Sequence, residues 1–189
     1  AKKAKLEYRI IPGIYEILSG NVSVSQIREV DLEDLLRRDP VRLDTSAISG
    51  YLVGQTVLVT GAGGSIGSEI VRQVARFRPE KVLLLGRGES SLFNIQQELV
   101  TSHPELDFSV LVCDVRDASR LAYLFGMHLP DVVFHAAAHK HVPMMEENPD
   151  EAVLNNVFGT RNLVELALEY GVTRFVNIST DKAVNPTSV

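Results

Sequence analysis

The chain has 189 residues, 45% of them hydrophobic and 23% charged, which excludes bulk disorder and suits one domain, or one with an appendage, at about 100–200 residues per domain. Nineteen Lys and Arg against 24 Asp and Glu leave a net charge of −5. General binding to nucleic acid or an anionic membrane needs the opposite, basic footprint, although one small anionic ligand held by local donors stays open. A single cysteine, Cys113, excludes an internal disulfide or a cysteine metal cage and fits a reducing, cytoplasmic compartment.

No apolar run approaches the roughly 18 residues that span a bilayer, so no membrane segment is expected in this chain. Ala1-Lys2-Lys3-Ala4-Lys5 lacks an initiator Met and is followed by no signal-peptide core. With the uncapped ending Asn185-Pro186-Thr187-Ser188-Val189, the chain reads as a piece cut from a longer protein.

Residues 1–50 form a short α/β appendage in this reading. Pro12 to Leu18 suits a short helix with Gly20 after it, Val22, Val24 and Ile27 alternate like a strand, and Asp31 to Arg38 suits a helix capped by Asp31 and ended by Pro40. So few large apolar side chains cannot hold a core alone. From Thr56 onward strand and helix alternate. The expected strands are Thr56–Thr60, Lys81–Leu85, Phe108–Cys113, Asp131–His135 and Arg174–Ile178. The expected helices are Ser65–Phe77, Ser90–Val100, Asp117–Met127 and one long helix from Asp150 to Tyr170, stopped by Gly171. Strands this uniformly apolar are covered on both faces, which means a doubly wound, Rossmann-like α/β fold with five parallel strands in the order 3-2-1-4-5. Ligands bind such sheets at the carboxyl ends of the strands.

Between the first strand and the first helix runs Thr60-Gly61-Ala62-Gly63-Gly64-Ser65-Ile66-Gly67. Gly61 makes the tight turn, Gly63 and Gly64 let backbone approach a pyrophosphate, and Gly67 lets helix pack on strand. The N–H groups around Ser65 and Ile66 face the phosphate. The second strand ends Leu85-Gly86-Arg87-Gly88-Glu89. NAD would want an acid at the strand end to grip its ribose hydroxyls; Gly86 stands there, and Arg87 beside it can accommodate a 2′-phosphate, which favours NADP. The other reading leaves Arg87 solvated, with Glu89 on the ribose of NAD. Asp114 and Val115 fall where the adenine ring would stack, unless Asp114 merely ends its strand.

Three histidines lie within His135-Ala136-Ala137-Ala138-His139-Lys140-His141, but no carboxylate or cysteine spacing supports a metal, and none is expected. Ala136 and Ala137 suit a cofactor passing over the end of strand four. Lys140 faces the nicotinamide or the substrate, or is simply solvated. Ser179-Thr180-Asp181-Lys182 sets a hydroxyl, a carboxylate and an amine at the end of strand five, either a catalytic set or an ordinary turn.

The segments Gly61–Glu69, His135–Glu146, Asn156–Thr160 and Ser179–Pro186 resemble the CapD-type polysaccharide biosynthesis proteins, extended short-chain dehydrogenase/reductases that act as UDP-N-acetylglucosamine 4,6-dehydratases, with epimerase relatives. The likeness runs from about Tyr51 to Val189, so residues 51–189 are expected to be an NAD(P)-binding domain, truncated before its substrate half. Residues 1–50 resemble the stretch that joins such domains to an upstream membrane-bound region, which would put the domain on the cytoplasmic side of an inner membrane.

The resemblance implies a UDP-sugar substrate and a lyase reaction. Hydride passes from sugar C4 to NADP⁺, the C5 proton and the C6 hydroxyl leave, and the hydride returns to C6. Thr180 would hold O4, Asp181 protonate the C6 oxygen and Lys182 take the C5 proton. The family's Tyr or Met, and the Lys four residues after it, fall past Val189. The piece is therefore expected to bind dinucleotide without turnover. An uncovered fifth strand would favour self-association into a homo-oligomer. The competing readings are a nucleotide-sugar epimerase, which lacks the elimination, and a non-catalytic NAD(P)-binding module, against which Asp181-Lys182 argues.

Overall fold

The computed structural model describes residues 45–180. The elements expected before residue 45, and the candidate residues Asp181 and Lys182, lie outside the described residues. The chain divides into two compact units, Ala1–Asp44 and Thr45–Val189, and the sheet belongs to the second. Helix α1 (Thr45–Leu52) opens it and buries Leu52.

Five strands follow: β1 (Thr56–Thr60), β2 (Lys81–Gly86), β3 (Phe108–Val112), β4 (Val132–His135) and β5 (Arg174–Asn177). All pair in parallel, in the expected order β3-β2-β1-β4-β5. The connecting helices are α2 (Ser65–Ala75), α3 (Glu89–Ser102), α4 (Ala118–His128), α5 (Val142–Glu147), α6 (Pro149–Ala152) and α7 (Thr160–Glu169). No helix among the described residues is long and apolar enough to cross a membrane.

Side chains on a strand alternate between its two faces, and on the central strands β1, β2 and β4 both faces are buried. Val57, Val59, Val82 and Leu84 pack with Leu52 of α1, Val71 and Val74 of α2 and Leu92, Ile95 and Leu99 of α3. Leu58, Leu83, Leu85 and Val133 pack on the other face with Leu121 and Phe125 of α4 and Leu163 and Ala167 of α7. Truncating one such core leucine to alanine costs about 2–5 kcal/mol. Double coverage is why the strands carry no polar alternation and read as plain apolar runs.

The expected single helix from Asp150 to Tyr170 is three pieces: α6, a π-helical stretch Val153–Gly159, and α7. Two local demands account for the wider turn. A Cβ on Gly159 would sit 2.7 Å from Val115 Cγ2, so the backbone passes close to the end of β3. Asn155 and Asn156 both bond the backbone of the segment after β4, and a π turn brings consecutive residues to one side more readily than an α turn does.

Asp131 sets the lower ends of three strands. Its N–H donates to the Thr56 carbonyl and its carbonyl accepts from the Thr173 N–H, each at 2.9 Å. Its carboxylate accepts from the Thr56 N–H, also at 2.9 Å.

Candidate functional site

Gly61 sits in the left-handed region (φ +66°), and a Cβ there would lie 2.6 Å from the Ala136 carbonyl oxygen. A side chain on Gly67 would run into the Gly61 carbonyl, and one on Gly63 into Ser91 of α3. The turn is thus bare backbone wedged between β1, β4 and α3. Gly64 caps α2 in extended geometry, with its N–H on the Gly61 carbonyl at 2.8 Å. The first intrahelical bond runs from the Ser68 N–H to the Gly64 carbonyl. The N–H groups of Ser65, Ile66 and Gly67 therefore precede the helix's own bonding, the arrangement that attracts a phosphate.

The turn opens on a cleft of about 300 Å³ at the carboxyl ends of the strands. Of the residues expected at the site, Gly61, Gly63, Gly64, Arg87, Asp114, Val115, Ala136 and Ala137 line it. Gly67 is buried beneath the turn, and Ser65 and Ile66 are exposed on the first turn of α2. Glu89 begins α3 and Lys140 follows His139; both are exposed and neither lines the cleft. Thr180 is exposed beyond β5, two residues after Ile178, whose N–H bonds the His135 carbonyl at 3.0 Å. It therefore stands at the same end of the sheet as the cleft.

The floor below strand four is held by two asparagines that sequence reasoning gave no role. Asn156 Oδ1 accepts the His139 N–H at 2.8 Å and its Nδ2 donates to the His139 carbonyl at 2.9 Å. Asn155, buried and lining the cleft, donates to the Ala137 carbonyl at 3.1 Å. The signal was the doublet Asn155-Asn156 in the middle of an otherwise helical run. Ser91 and Cys113 also line the cleft; burial pushes the Cys113 thiol up to about 11, which keeps it protonated at neutral pH.

The three histidines part company. His135 is buried between two threonine hydroxyls, at 2.7 Å from Thr60 and 2.9 Å from Thr160. His139 Nε2 approaches Glu151 at 4.0 Å, and His141 caps α5. At the far side of the cleft Asp114 is gripped by Arg116, whose hydrogen bonds hold its carboxyl below the usual carboxylate range. Bare glycine backbone, a small-residue floor and an arginine at the end of β2 fit a dinucleotide.

The family model described as "Polysaccharide biosynthesis protein" matches residues 57–189. The chain is 51% identical over 180 residues to "Capsular polysaccharide biosynthesis protein CapD" of Staphylococcus aureus, covering 95% of this chain and 30% of that protein. It is 52% identical over 182 residues to "Probable polysaccharide biosynthesis protein EpsC" of Bacillus subtilis, covering 96% and 30%. It is 34% identical over 137 residues to a "UDP-N-acetylglucosamine 4,6-dehydratase (inverting)" of Campylobacter jejuni, covering 72% and 39%. Among solved structures, Pen from Bacillus thuringiensis superposes with a TM-score of 0.67 at 35% identity, over 73% of this chain and 42% of that one. The UDP-Glc/GlcNAc 4-epimerase of Campylobacter jejuni superposes with a TM-score of 0.61 at 28% identity, over 68% and 38%. The chain thus spans about a third of the length of the curated relatives it matches.

Proposed function

The chain belongs to the polysaccharide biosynthesis protein family, and from that premise we propose that it is the cofactor-binding part of a UDP-N-acetylglucosamine 4,6-dehydratase, an NADP-dependent lyase. Residues 51–189 are the dinucleotide domain in this reading. The observation that carries it is the Gly61–Gly67 turn, which brings side-chain-free backbone and a helix N-terminus to an open cleft at the carboxyl ends of β1 and β4. Dehydratases and epimerases of nucleotide sugars share this half, and the Asp181-Lys182 pair, which the elimination uses and an epimerase would not, favours the first.

A bound dinucleotide would supply the hydride acceptor for C4 and the donor for C6. Around it, the glycine turn binds the pyrophosphate and Arg87 the 2′-phosphate, while Asp114 and Val115 border the adenine. Thr180 holds O4 through its hydroxyl, Asp181 gives a proton to the departing C6 oxygen, which leaves as water, and Lys182 takes the C5 proton. The parent is anchored to the inner membrane with this domain on the cytoplasmic side; the relatives' length beyond the matched 30% leaves room for an anchor.

The test is the full-length parent with UDP-N-acetylglucosamine and NADP⁺. A 4-keto-6-deoxy product with solvent hydrogen at C5 is expected. The C4 epimer with an intact C6 hydroxyl would make the protein an epimerase, the reading that the 28% identity to the Campylobacter epimerase supports. Unchanged substrate in a dinucleotide-bound protein would leave only a binding module.

A further inference from the structure

Asp114 stands between two arginines that are unequally engaged. Arg116 grips its carboxylate from Nε at 3.0 and 3.1 Å and from Nη2 at 2.7 Å, and the Arg116 backbone N–H adds a bond of 3.0 Å. The same guanidinium reaches across to Glu151 of α6 at 2.9 Å, so it is fixed from both sides. Arg87, at the end of β2, comes no closer to Asp114 than 3.9 Å, and its side chain is 54% exposed. Both Arg87 and Asp114 line the cleft. A shift of about 1 Å would turn that separation into a direct charge-assisted pair, and a guanidinium so paired cannot also embrace a phosphate with its full fork.

We propose that Arg116 sets the preference for a 2′-phosphorylated dinucleotide by holding Asp114, which leaves the Arg87 guanidinium open to the phosphate. Arg116 is a positioning residue that acts through Asp114 on Arg87, with Glu151 as its outer anchor. The inference rests on the NADP reading above. It predicts a suppressor pattern that direct phosphate binding by Arg116 would not produce.

The experiment titrates NADP⁺ and NAD⁺ into the intact protein and reads the ratio of the two Kd values, in which any loss of an Asp114 contact to adenine cancels. Arg116→Gln should lower the NADP preference about tenfold, Arg116→Gln with Asp114→Asn should restore it to within about threefold, and Arg116→Lys should keep most of it by leaving a cation on Asp114. A ratio unchanged in Arg116→Gln, a preference still lost in the double variant, or one lost in Arg116→Lys would each overturn the proposal. Should Arg87→Ala abolish the preference while Arg116→Gln spares it, the NADP reading stands and this inference alone falls. A protein with no preference, indifferent to Arg87→Ala, would remove both.

Discussion

Thr60 and His135, register partners on β1 and β4, are joined a second time through their side chains, at 2.7 Å between the threonine hydroxyl and Nδ1. The direction of every proton nearby follows. Thr160 donates to the Asn156 carbonyl at 2.7 Å, so its oxygen accepts the His135 Nε2–H at 2.9 Å. Nδ1 must then accept from Thr60, whose oxygen takes the Ala136 N–H at 3.3 Å. This chain of bonds fixes a neutral imidazole, and burial pushes its pKa down to about 4.

The pH dependence of stability has a definite sign. Above about pH 6.5 both folded and unfolded His135 are neutral; as pH falls toward about 4 the unfolded chain binds a proton that the folded chain refuses, and up to roughly 3 kcal/mol of stability is lost. His135→Asn should be less stable than the unmutated protein near neutrality and should flatten this decline. Thermal unfolding at several pH values checks it, the stability gap between the two narrowing on acidification.

Two glycines should respond to alanine with opposite signs. Gly61→Ala puts a side chain at positive φ and against the Ala136 carbonyl, which should cost at least about 2 kcal/mol and weaken dinucleotide binding more than about tenfold. Gly50 lies inside α1, where a Cβ meets nothing within 4 Å, so Gly50→Ala should stabilise by about 0.5–1 kcal/mol. Chemical denaturation of both variants separates the two effects.

Asn156→Asp is nearly isosteric but replaces the donor to the His139 carbonyl with an acceptor. Leaving that carbonyl facing a carboxylate oxygen should cost about 1–3 kcal/mol. Dinucleotide affinity should fall with it, because Ala137, Ala138 and His139 form that side of the cleft. Titration and unfolding of the same variant measure both.

In the full-length parent, Lys182→Ala should stop the reaction after oxidation, with a 4-ketone formed and no proton lost from C5. Mass spectrometry in deuterated solvent reads the outcome. Deuterium entering C5 at the unmutated rate would remove Lys182 as the base and leave Asp181 as the candidate.

What the sequence shows and hides in this chain divides along physical lines. Val57–Val59 and Val82–Leu85 are almost wholly buried on both faces, so the strands stand out as apolar runs and crossover rules fix their order. The glycine turn is legible because backbone must occupy a place where a Cβ would collide. The interruption of the helix after Asp150 is not, since the hydrophobic period continues through it; the approach of Gly159 to Val115 and the bonds of Asn155 and Asn156 to the segment after β4 both involve residues distant in sequence. Helix α5 left one trace, Pro143 in its first turn. The partner of Asp114 was hidden for a similar reason. Arg116 lies two residues on, where a turn decides whether its side chain returns, and the anchoring Glu151 is distant in sequence.

Asp131 lies at the amino-terminal edge of the sheet, roughly 13 Å of strand away from His135. By bonding Thr56 on one side and Thr173 on the other, it acts as a common datum from which three strands are measured. Thr60, His135 and Asn177 come out level at the opposite rim because the register set at Val57, Val132 and Arg174 runs to the ends of β1, β4 and β5 without a slip. The site's geometry is thus partly surveyed from the far side of the molecule. A substitution there would reach the cleft as a tilt of its rim, with every cleft residue chemically intact.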